Sequence, residues 1–524
     1  MNRYFLTLIT VFFLFCLSGA LAQNPLKGPS ADKPLRLEIP VSSDAETYRI
    51  VPFGNKGMIL FFRSNEVVND TMFNWYFAQY DQNLRQTWIK SVPVPVNLEF
   101  LSDEKVSDTL VILFKLKEKE KKAYYTHLIL RVSANQGKFI GNYTKLPNDV
   151  ELSAFRVLGQ HAFFGIDQKN TPSAIHVLDL QTGVAFQRTL VTSTPSSVQS
   201  FSIDTLNNRL LVFLKKQFNR NDYENYLVIL DADARIISEV LISPITANRF
   251  IRDLRFFPAG GDDLVACGSY GFGDGQKSSN RNNVTGDVAG IFFSMIRKGE
   301  QQNISLTNFL ELKNAGNLLG ERDLLTLRKK KEKNNAAYTQ FSLNLNVLVH
   351  PIIRQDGQYI VFFESYTPEY QTESSTEFDF YGRPYTVSVP VFQGYRFLNG
   401  IVASYDEEGK LKWDNTIDIR NLLTFNLSSR LNISFSGPNA ILSYSSEGKI
   451  ASKIIQGNAV VEPLDFTPVE LLRPEDKLVS ESKSIMLPWY GNYFLNYGYE
   501  EIKNISLPEN NKRLVFYCTK IRYE

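Results

Sequence analysis

The sequence predicts an all-β protein, a single β-propeller of seven or eight four-stranded blades, with eight favoured over seven. The first observation is a recurring hairpin unit: an apolar strand ends in Tyr or Leu, an Asp-centred polar turn follows, and a second alternating strand often reaches a Trp. The second is a set of apolar and aromatic runs, which strands covered on both faces require. The clearest units are residues 75–88 and 401–413, and weaker ones are residues 178–183 and 230–235.

The first 22 residues have the features of a secretory signal peptide, so the mature chain is expected to begin at Gln23. Arg3 supplies the positive start, residues 5–17 the apolar run, and residues 20–22 a small-x-small cleavage site. The apolar run is shorter than the ~20 residues of a spanning helix, and no later stretch is long and apolar enough to span a bilayer. The sequence therefore predicts a periplasmic or secreted protein.

Residues 23–524 are expected to form one propeller domain, because no linker-like or low-complexity stretch divides them. The seventh blade segment is short, which leaves seven blades open. The last segment offers only three strands, and residues 35–41 resemble the missing one. Pairing the two chain ends in one blade would remove exposed strand edges. The expected blade starts are Tyr48, Leu98, Leu152, Val198, Ile251, Leu345, Arg430 and Leu478.

Three insertions interrupt the repeat. Residues 271–286 are polar and Gly-rich, but a strand follows them where a phosphate-binding loop would open a helix, so they are expected to be an extended loop. Residues 305–336 carry leucines at near-helical spacing and end in a basic run, which predicts a short helical insertion between blades five and six. The third insertion, residues 366–397, bears most on function.

Residues 366–397 combine many aromatic residues with several carboxylates. Such a segment must bury its rings, either by folding back as a cap on the ring or by contacting a ligand or partner. Both alternatives stay open from sequence. If the rings face outward, this insertion and residues 271–286 would form a binding surface on one rim of the propeller. The candidate binding residues are Tyr366, Tyr370, Phe380, Tyr381, Tyr385 and Tyr395.

The remaining residue types give no sign of chemistry. Cys267 and Cys518 are too few for a disulfide framework, and whether they pair stays open. The four histidines are scattered, so no metal site or cofactor is predicted. The net charge of +2 gives no reason to expect a nucleic-acid partner. No Gly-x-Ser-x-Gly elbow occurs, and no pair among the 55 acidic residues stands out as a glycosidase pair.

Residues 392–395 and 405–414, together with 489–499 and Val515-Phe516-Tyr517, resemble secreted, uncharacterised propeller-like proteins of Bacteroidota. The resemblance covers nearly the whole chain and implies a propeller fold and export, with no assigned activity. The sequence as a whole favours a non-enzymatic binding or scaffold protein that recognises a protein or carbohydrate through rim loops. The alternative is a propeller-type, glycan-active hydrolase that uses a carboxylate pair in the central funnel.

Overall fold

The computed structural model of the chain describes residues 35–43, 47–116, 124–145, 150–168, 171–190, 194–219, 222–243, 249–272, 288–314, 345–504 and 511–523, with the single positions 325, 329 and 506. The expected signal peptide lies outside these residues. So do residues 273–286 of the first insertion and most of the second.

The described residues form eight antiparallel sheets; seven are built from strands that follow one another along the chain, and the eighth combines the last three strands with the first. This confirms the predicted propeller and decides for eight blades. Successive side chains along each strand point to opposite faces and are buried against the two neighbouring sheets, which explains the apolar composition of the strands. The first strands of blades two to six contact one another in turn, as do those of blades seven and eight, so the first strands form the inner wall of the ring.

The first four blades each contain four strands. Blade one has β2 (Arg49–Pro52), β3 (Met58–Val68), β4 (Met72–Tyr80) and β5 (Gln86–Pro95); blade two has β6 (Leu98–Val106), β7 (Thr109–Leu116), β8 (Tyr124–Arg131) and β9 (Gln136–Lys145). Blade three has β10 (Val150–Leu158), β11 (His161–Gln168), β12 (Ala174–Asp179) and β13 (Ala185–Thr189); blade four has β14 (Ser196–Asp204), β15 (Arg209–Asn219), β16 (Asp222–Asp231) and β17 (Ile236–Ile242).

The other blades follow the same order, and two short strands are added to blade six. Blade five has β18 (Arg249–Gly260), β19 (Asp263–Phe272), β20 (Gly290–Arg297) and β21 (Glu300–Asn308); blade six has β22 (Asn346–Val349), β23 (Ile353–Gln355), β24 (Gln358–Phe378), β25 (Pro384–Tyr405), β26 (Leu411–Asp418) and β27 (Leu423–Thr424). Blade seven has β28 (Asn432–Ser436), β29 (Asn439–Ser446), β30 (Lys449–Gln456) and β31 (Ala459–Pro468); blade eight has β32 (Asp476–Pro488), β33 (Tyr493–Asn504), β34 (Lys512–Arg522) and β1 (Arg36–Pro40).

Blade eight takes its outer strand from the N-terminal segment. Strand β1 pairs antiparallel with β34, from Arg36 opposite Thr519 to Pro40 opposite Val515. Arg36 then reaches across the sheet to the buried carboxylate of Glu500 and also bonds Glu38 on its own strand. The two ends of the chain are therefore joined by backbone pairing and by a buried ion pair.

A hydrophobic cluster lies at each junction between consecutive blades in the described structure. Between blades one and two, Trp75 meets Phe114 edge-on, with ring centroids 5.2 Å apart. Between blades eight and one, Tyr48 stacks on Phe516 at 4.8 Å, and the Trp489 indole donates to the Gly57 carbonyl at 2.9 Å. Because this last cluster links blade eight back to blade one, the ring is closed.

Two expectations need correction. The helical insertion does not begin at residue 305, because Ser305 to Asn308 complete β21; among the described residues that follow, Phe309–Glu311 form a 3-10 turn, and Leu325 and Lys329 are helical. Residues 366–397 are not a separate insertion either, because β24 and β25 simply continue through them as one hairpin. Cys267 and Cys518 are both free and buried, on blades five and eight.

Candidate functional site

The hairpin of β24 and β25 projects beyond the blade that carries it. Strand β22 pairs with β24 only as far as Tyr366, and β27 pairs with β25 only at Tyr395 and Arg396. Beyond these points the two strands pair only with each other. We call residues 367–394 the arm. At 3.3 Å per residue its paired strands extend about 35 Å, and its outer part is largely exposed, so it does not cap the ring.

The tip of the arm repeats the Asp turn found at the outer hairpins of other blades. Asp379 accepts hydrogen bonds from the backbone N–H groups of Tyr381 and Arg383, at 2.9 and 2.8 Å, and Gly382 has a φ of 73°. Asp81 and Asp231 cap their turns in the same way. This turn needs the Asp oxygen and a residue that tolerates positive φ, and it places no demand on the second and third side chains.

Those two free positions are what distinguish the arm tip. They hold Gln82-Asn83 in the turn of Asp81, and Glu407-Glu408 in the turn of Asp406. At the arm tip they hold Phe380 and Tyr381, which are 98% and 78% exposed. Phe378, just before the turn, is 68% exposed. Large aromatic side chains clustered in solvent at positions that the turn does not constrain indicate an interaction site.

The register of the arm sorts its side chains onto two faces. Along one face, β25 presents Tyr385, Val387, Val389 and Val391, and β24 presents their cross-strand partners. Those partners are Glu377, Ser375, Glu373 and Gln371. The Tyr385 hydroxyl donates to Glu377 at 2.9 Å. The opposite face is dominated by Ser, Thr and Pro. The first face therefore joins a largely apolar row to a polar row that carries two carboxylates.

The structure does not bring the six predicted binding residues together. Tyr366 and Tyr395 pack edge-to-face at the base of the arm, with centroids 5.6 Å apart, and burial raises the pKa of Tyr366 to about 12. Tyr370 lies against Phe392 halfway along the arm. The other three, Phe380, Tyr381 and Tyr385, lie in the outer, exposed part. Sequence reasoning left out Phe378, although its place directly before an Asp turn was a usable signal.

The inner wall of the ring carries three ion pairs between arginine and carboxylate. Arg49 lies 3.4 Å from Asp103, Arg156 lies 3.5 Å from Glu104, and Arg255 lies 2.7 Å from Asp253. Burial raises the pKa of both Asp103 and Glu104, and the neighbouring arginine opposes this in each case. Asp103 also raises the pKa of Glu104 by repulsion. Two adjacent carboxyls on β6 are therefore easier to protonate than exposed ones.

A cavity of about 590 Å³ lies along the inner strands of blades two to six. Its wall includes Ser102, Arg156, Ser202 and Arg255, with apolar surface from phenylalanine and proline residues. It reaches Thr205, in the turn between β14 and β15. That turn lies on the face of the ring opposite the arm, because successive connections in a blade alternate between the two faces.

Other buried charged groups have structural partners. The Glu364 carboxylate accepts from the backbone N–H groups of Arg430 and Leu431, both at 2.9 Å, and contacts His350 Nε2 at 2.5 Å. It thereby fixes the start of blade seven against blade six. The Lys215 ammonium donates to the Arg252 carbonyl at 3.1 Å, and burial lowers its pKa to about 8. Across the described residues, no group of three or more His, Cys, Asp and Glu side chains is placed to hold a metal ion.

The eight blades and their closed ring define the chain as a β-propeller protein. No protein-family profile and no curated protein sequence matches it. Among solved structures, it is similar to the β-propeller domain of the Trilobed protease from Pyrococcus furiosus, with 8% identity over 80% of this chain and 95% of that one and a TM-score of 0.34. It is also similar to polysaccharide lyase Uly1, with 9% identity over 80% and 89% of the two chains and a TM-score of 0.40.

A third similar structure is the periplasmic gluconolactonase PpgL of Pseudomonas aeruginosa, with 10% identity over 81% of this chain and 99% of that one and a TM-score of 0.35. At these identities and TM-scores the likenesses assign no activity to this chain. None of the helices formed by the described residues has the length and apolarity to cross a membrane.

Proposed function

We propose that this protein is an exported, non-enzymatic binding protein that docks a protein partner through the arm. The observation that carries the proposal is the arm tip, where Phe380 and Tyr381 occupy turn positions that the same turn fills with small or polar residues elsewhere. The Bacteroidota-like segments and the N-terminal segment support export to the periplasm or beyond. The ring acts as the rigid base that holds the arm in place.

The arm favours a protein over a carbohydrate partner. Both strands of the arm have a backbone edge without a neighbouring strand in the described structure, so an extended segment can add to the sheet. The valine row gives this segment an apolar contact. Residues 370–391 contain three carboxylates and one guanidinium, so the arm attracts a segment rich in Lys or Arg. An apolar, basic, extended protein segment matches all these features.

The test replaces the two aromatic residues with the pair that occupies the blade-one turn. The variant F380Q/Y381N keeps Asp379 and Gly382, so its melting temperature should stay within about 1 °C of the wild type. Proteins retained by the immobilised mature chain from an envelope extract are identified, and the affinity of each is then titrated. The double variant should bind its partner about thirtyfold more weakly, because exposed aromatic anchors carry most of an interface's energy.

The matched control is Q82A/N83A, which changes the same two turn positions on blade one and should bind like the wild type. Partner binding should also weaken as salt is raised, because the arm is acidic. Equal retention by the wild type and F380Q/Y381N would contradict the proposal. Binding to glycans on an array, without binding to any protein, would contradict the proposal that the partner is a protein.

The second candidate function is a hydrolase that works in the lumen, and the raised pKa values of Asp103 and Glu104 favour it. A carboxyl group whose pKa is raised is better suited to act as a general acid. Each of these carboxyls, however, already pairs with an arginine. Screening peptides and glycans tests this function: turnover should fall about a hundredfold in D103N or E104Q and be unchanged in E99Q, an exposed residue of the same strand.

A further inference from the structure

The cavity on the side of the ring away from the arm contains two arginines that are held in the same unusual way. Arg156 donates from Nη1 to the carbonyl of the preceding residue, Phe155, at 2.9 Å. Arg255 donates from Nη1 to the carbonyl of its preceding residue, Leu254, also at 2.9 Å. The carboxylate partner of each arginine is also on the Nη1 side: Glu104 for Arg156 and Asp253 for Arg255.

The opposite edge of each guanidinium is free. Among the described residues, neither Nε nor Nη2 of Arg156 or Arg255 has a hydrogen-bond or ion-pair partner. The Nε–Nη2 edge is a planar fork of two N–H donors, whose spacing matches the two oxygens of a carboxylate or phosphoryl group. Because Nη1 is tethered to the backbone, little side-chain freedom is lost when the fork binds a ligand.

The rest of the wall suits a small anion. Arg156 and Arg255 are the charged residues of the cavity lining, and no carboxylate belongs to it. Ser102 and Ser202 add hydroxyl groups that bond no other described residue. The volume of about 590 Å³ lies within the range of small-molecule sites, and the apolar surface beside the arginines would cover the carbon skeleton of a ligand.

We propose that this cavity binds a small organic anion through a carboxylate or phosphoryl group held by the Nε–Nη2 forks of Arg156 and Arg255. The arginines stand on β10 and β18, and Ser102 and Ser202 stand on β6 and β14, so the site is assembled from four blades. This site lies on the opposite face from the arm and does not depend on the arm's role.

The experiment is calorimetric titration of the mature protein with citrate and with inorganic phosphate at constant ionic strength, with glucose as the neutral probe. At least one of the two anions should bind the wild type, and glucose should not bind. Which anion binds shows whether the site recognises a carboxylate or a phosphoryl group. Arg156→Gln and Arg255→Gln should each weaken binding about tenfold or more. Arg209→Gln, which alters an arginine that pairs with Asp262 outside the cavity, should bind like the wild type.

Arg255→Lys keeps the charge and loses the fork, so it should bind as weakly as Arg255→Gln, and its smaller change makes it the safer variant for folding. The near-ultraviolet circular dichroism of every variant should match the wild type. The proposal is overturned if neither anion binds the wild type up to about 10 mM, or if the Arg156→Gln/Arg255→Gln double variant binds as the wild type does. Wild-type affinity in Arg255→Lys would overturn recognition by the fork.

Discussion

His127 should make this protein sensitive to mild acid. The side chain lies on β8 in blade two and is 1% exposed; neither ring nitrogen forms a hydrogen bond of ordinary geometry with a described residue, and the nearby Leu180 backbone only partly offsets the effect of burial on the pKa. Burial disfavours the charged imidazolium, so the pKa of His127 falls from 6.5 to about 4. Burial lowers the pKa of His176, on blade three, in the same direction. The native state therefore holds both rings neutral.

The direction of the effect follows from where the proton binds. Below pH 6.5 the unfolded chain takes up a proton at His127 that the folded protein does not, so the free energy of unfolding falls as the pH drops from 6.5 through 4. The pKa of His127 is about 4 in the folded protein and 6.5 ordinarily. Protonation therefore lowers the free energy of unfolding by about 3 kcal/mol at a pH below both pKa values, and by about 2 kcal/mol at pH 5.

The assay is urea unfolding followed by tryptophan fluorescence, for the wild type and His127→Leu, at pH values from 8 to 4.5. The variant replaces a buried ring that forms no hydrogen bond of ordinary geometry with a described residue, so it should match the wild type at pH 8 within about 1 kcal/mol and exceed it by about 2 kcal/mol at pH 5. The control Leu206→Ala changes an exposed residue that binds no proton and should keep the wild-type slope. Parallel curves for His127→Leu and the wild type would refute the reasoning.

Three further predictions concern the fold. Deleting residues 34–41 should lower the melting temperature and cause association through the exposed edge of β34, which size-exclusion chromatography would show; an unchanged monomer would count against the closure. Burial raises the pKa of Glu500 to about 7, against the opposing effect of Arg36. The stability that Glu500 contributes is therefore complete below pH 4.5 and is lost as the pH rises through 7. The free energy of unfolding of Glu500→Gln should gain up to about 3 kcal/mol over that of the wild type between pH 4 and 8, and identical pH profiles would refute this prediction. Gly268→Ala should cost several kcal/mol in urea unfolding, because a Cβ there would lie 1.8 Å from the Asp253 carbonyl oxygen; a wild-type midpoint would show that the strands can separate.

The repeat could be predicted from sequence because its signals are local. An Asp that caps a tight turn fixes the position of a hairpin within a few residues, and the apolar runs on either side identify its strands. The short seventh segment was ambiguous because residue counts alone do not show whether four strands fit. In the structure β28 to β31 are joined by tight turns at Gly437, Gly448 and Gly457, so they form a complete blade in little sequence.

The sites were harder to predict because they depend on distant parts of the chain. Residues 366–397 were marked by their aromatic content, but only the register shows that Tyr366 packs at the base while Phe380 stands free at the tip. Arg156 and Arg255 carry no local motif. Their common feature, a tethered Nη1 and a free fork, needs side-chain geometry from two blades that are not adjacent.

The two proposed sites belong to opposite faces of the ring, which makes them separable. The arm extends from the connection between the second and third strands of blade six, whereas the cavity reaches the turn between the first and second strands of blade four. Each blade junction has its own hydrophobic cluster, so a substitution at the arm tip disturbs no packing near Arg156 or Arg255. Effects of distant, independent substitutions add. F380Q/Y381N should therefore leave anion binding unchanged, and Arg255→Lys should leave partner binding unchanged. Loss of both activities in either variant would mean that the arm and the cavity contribute to a single site.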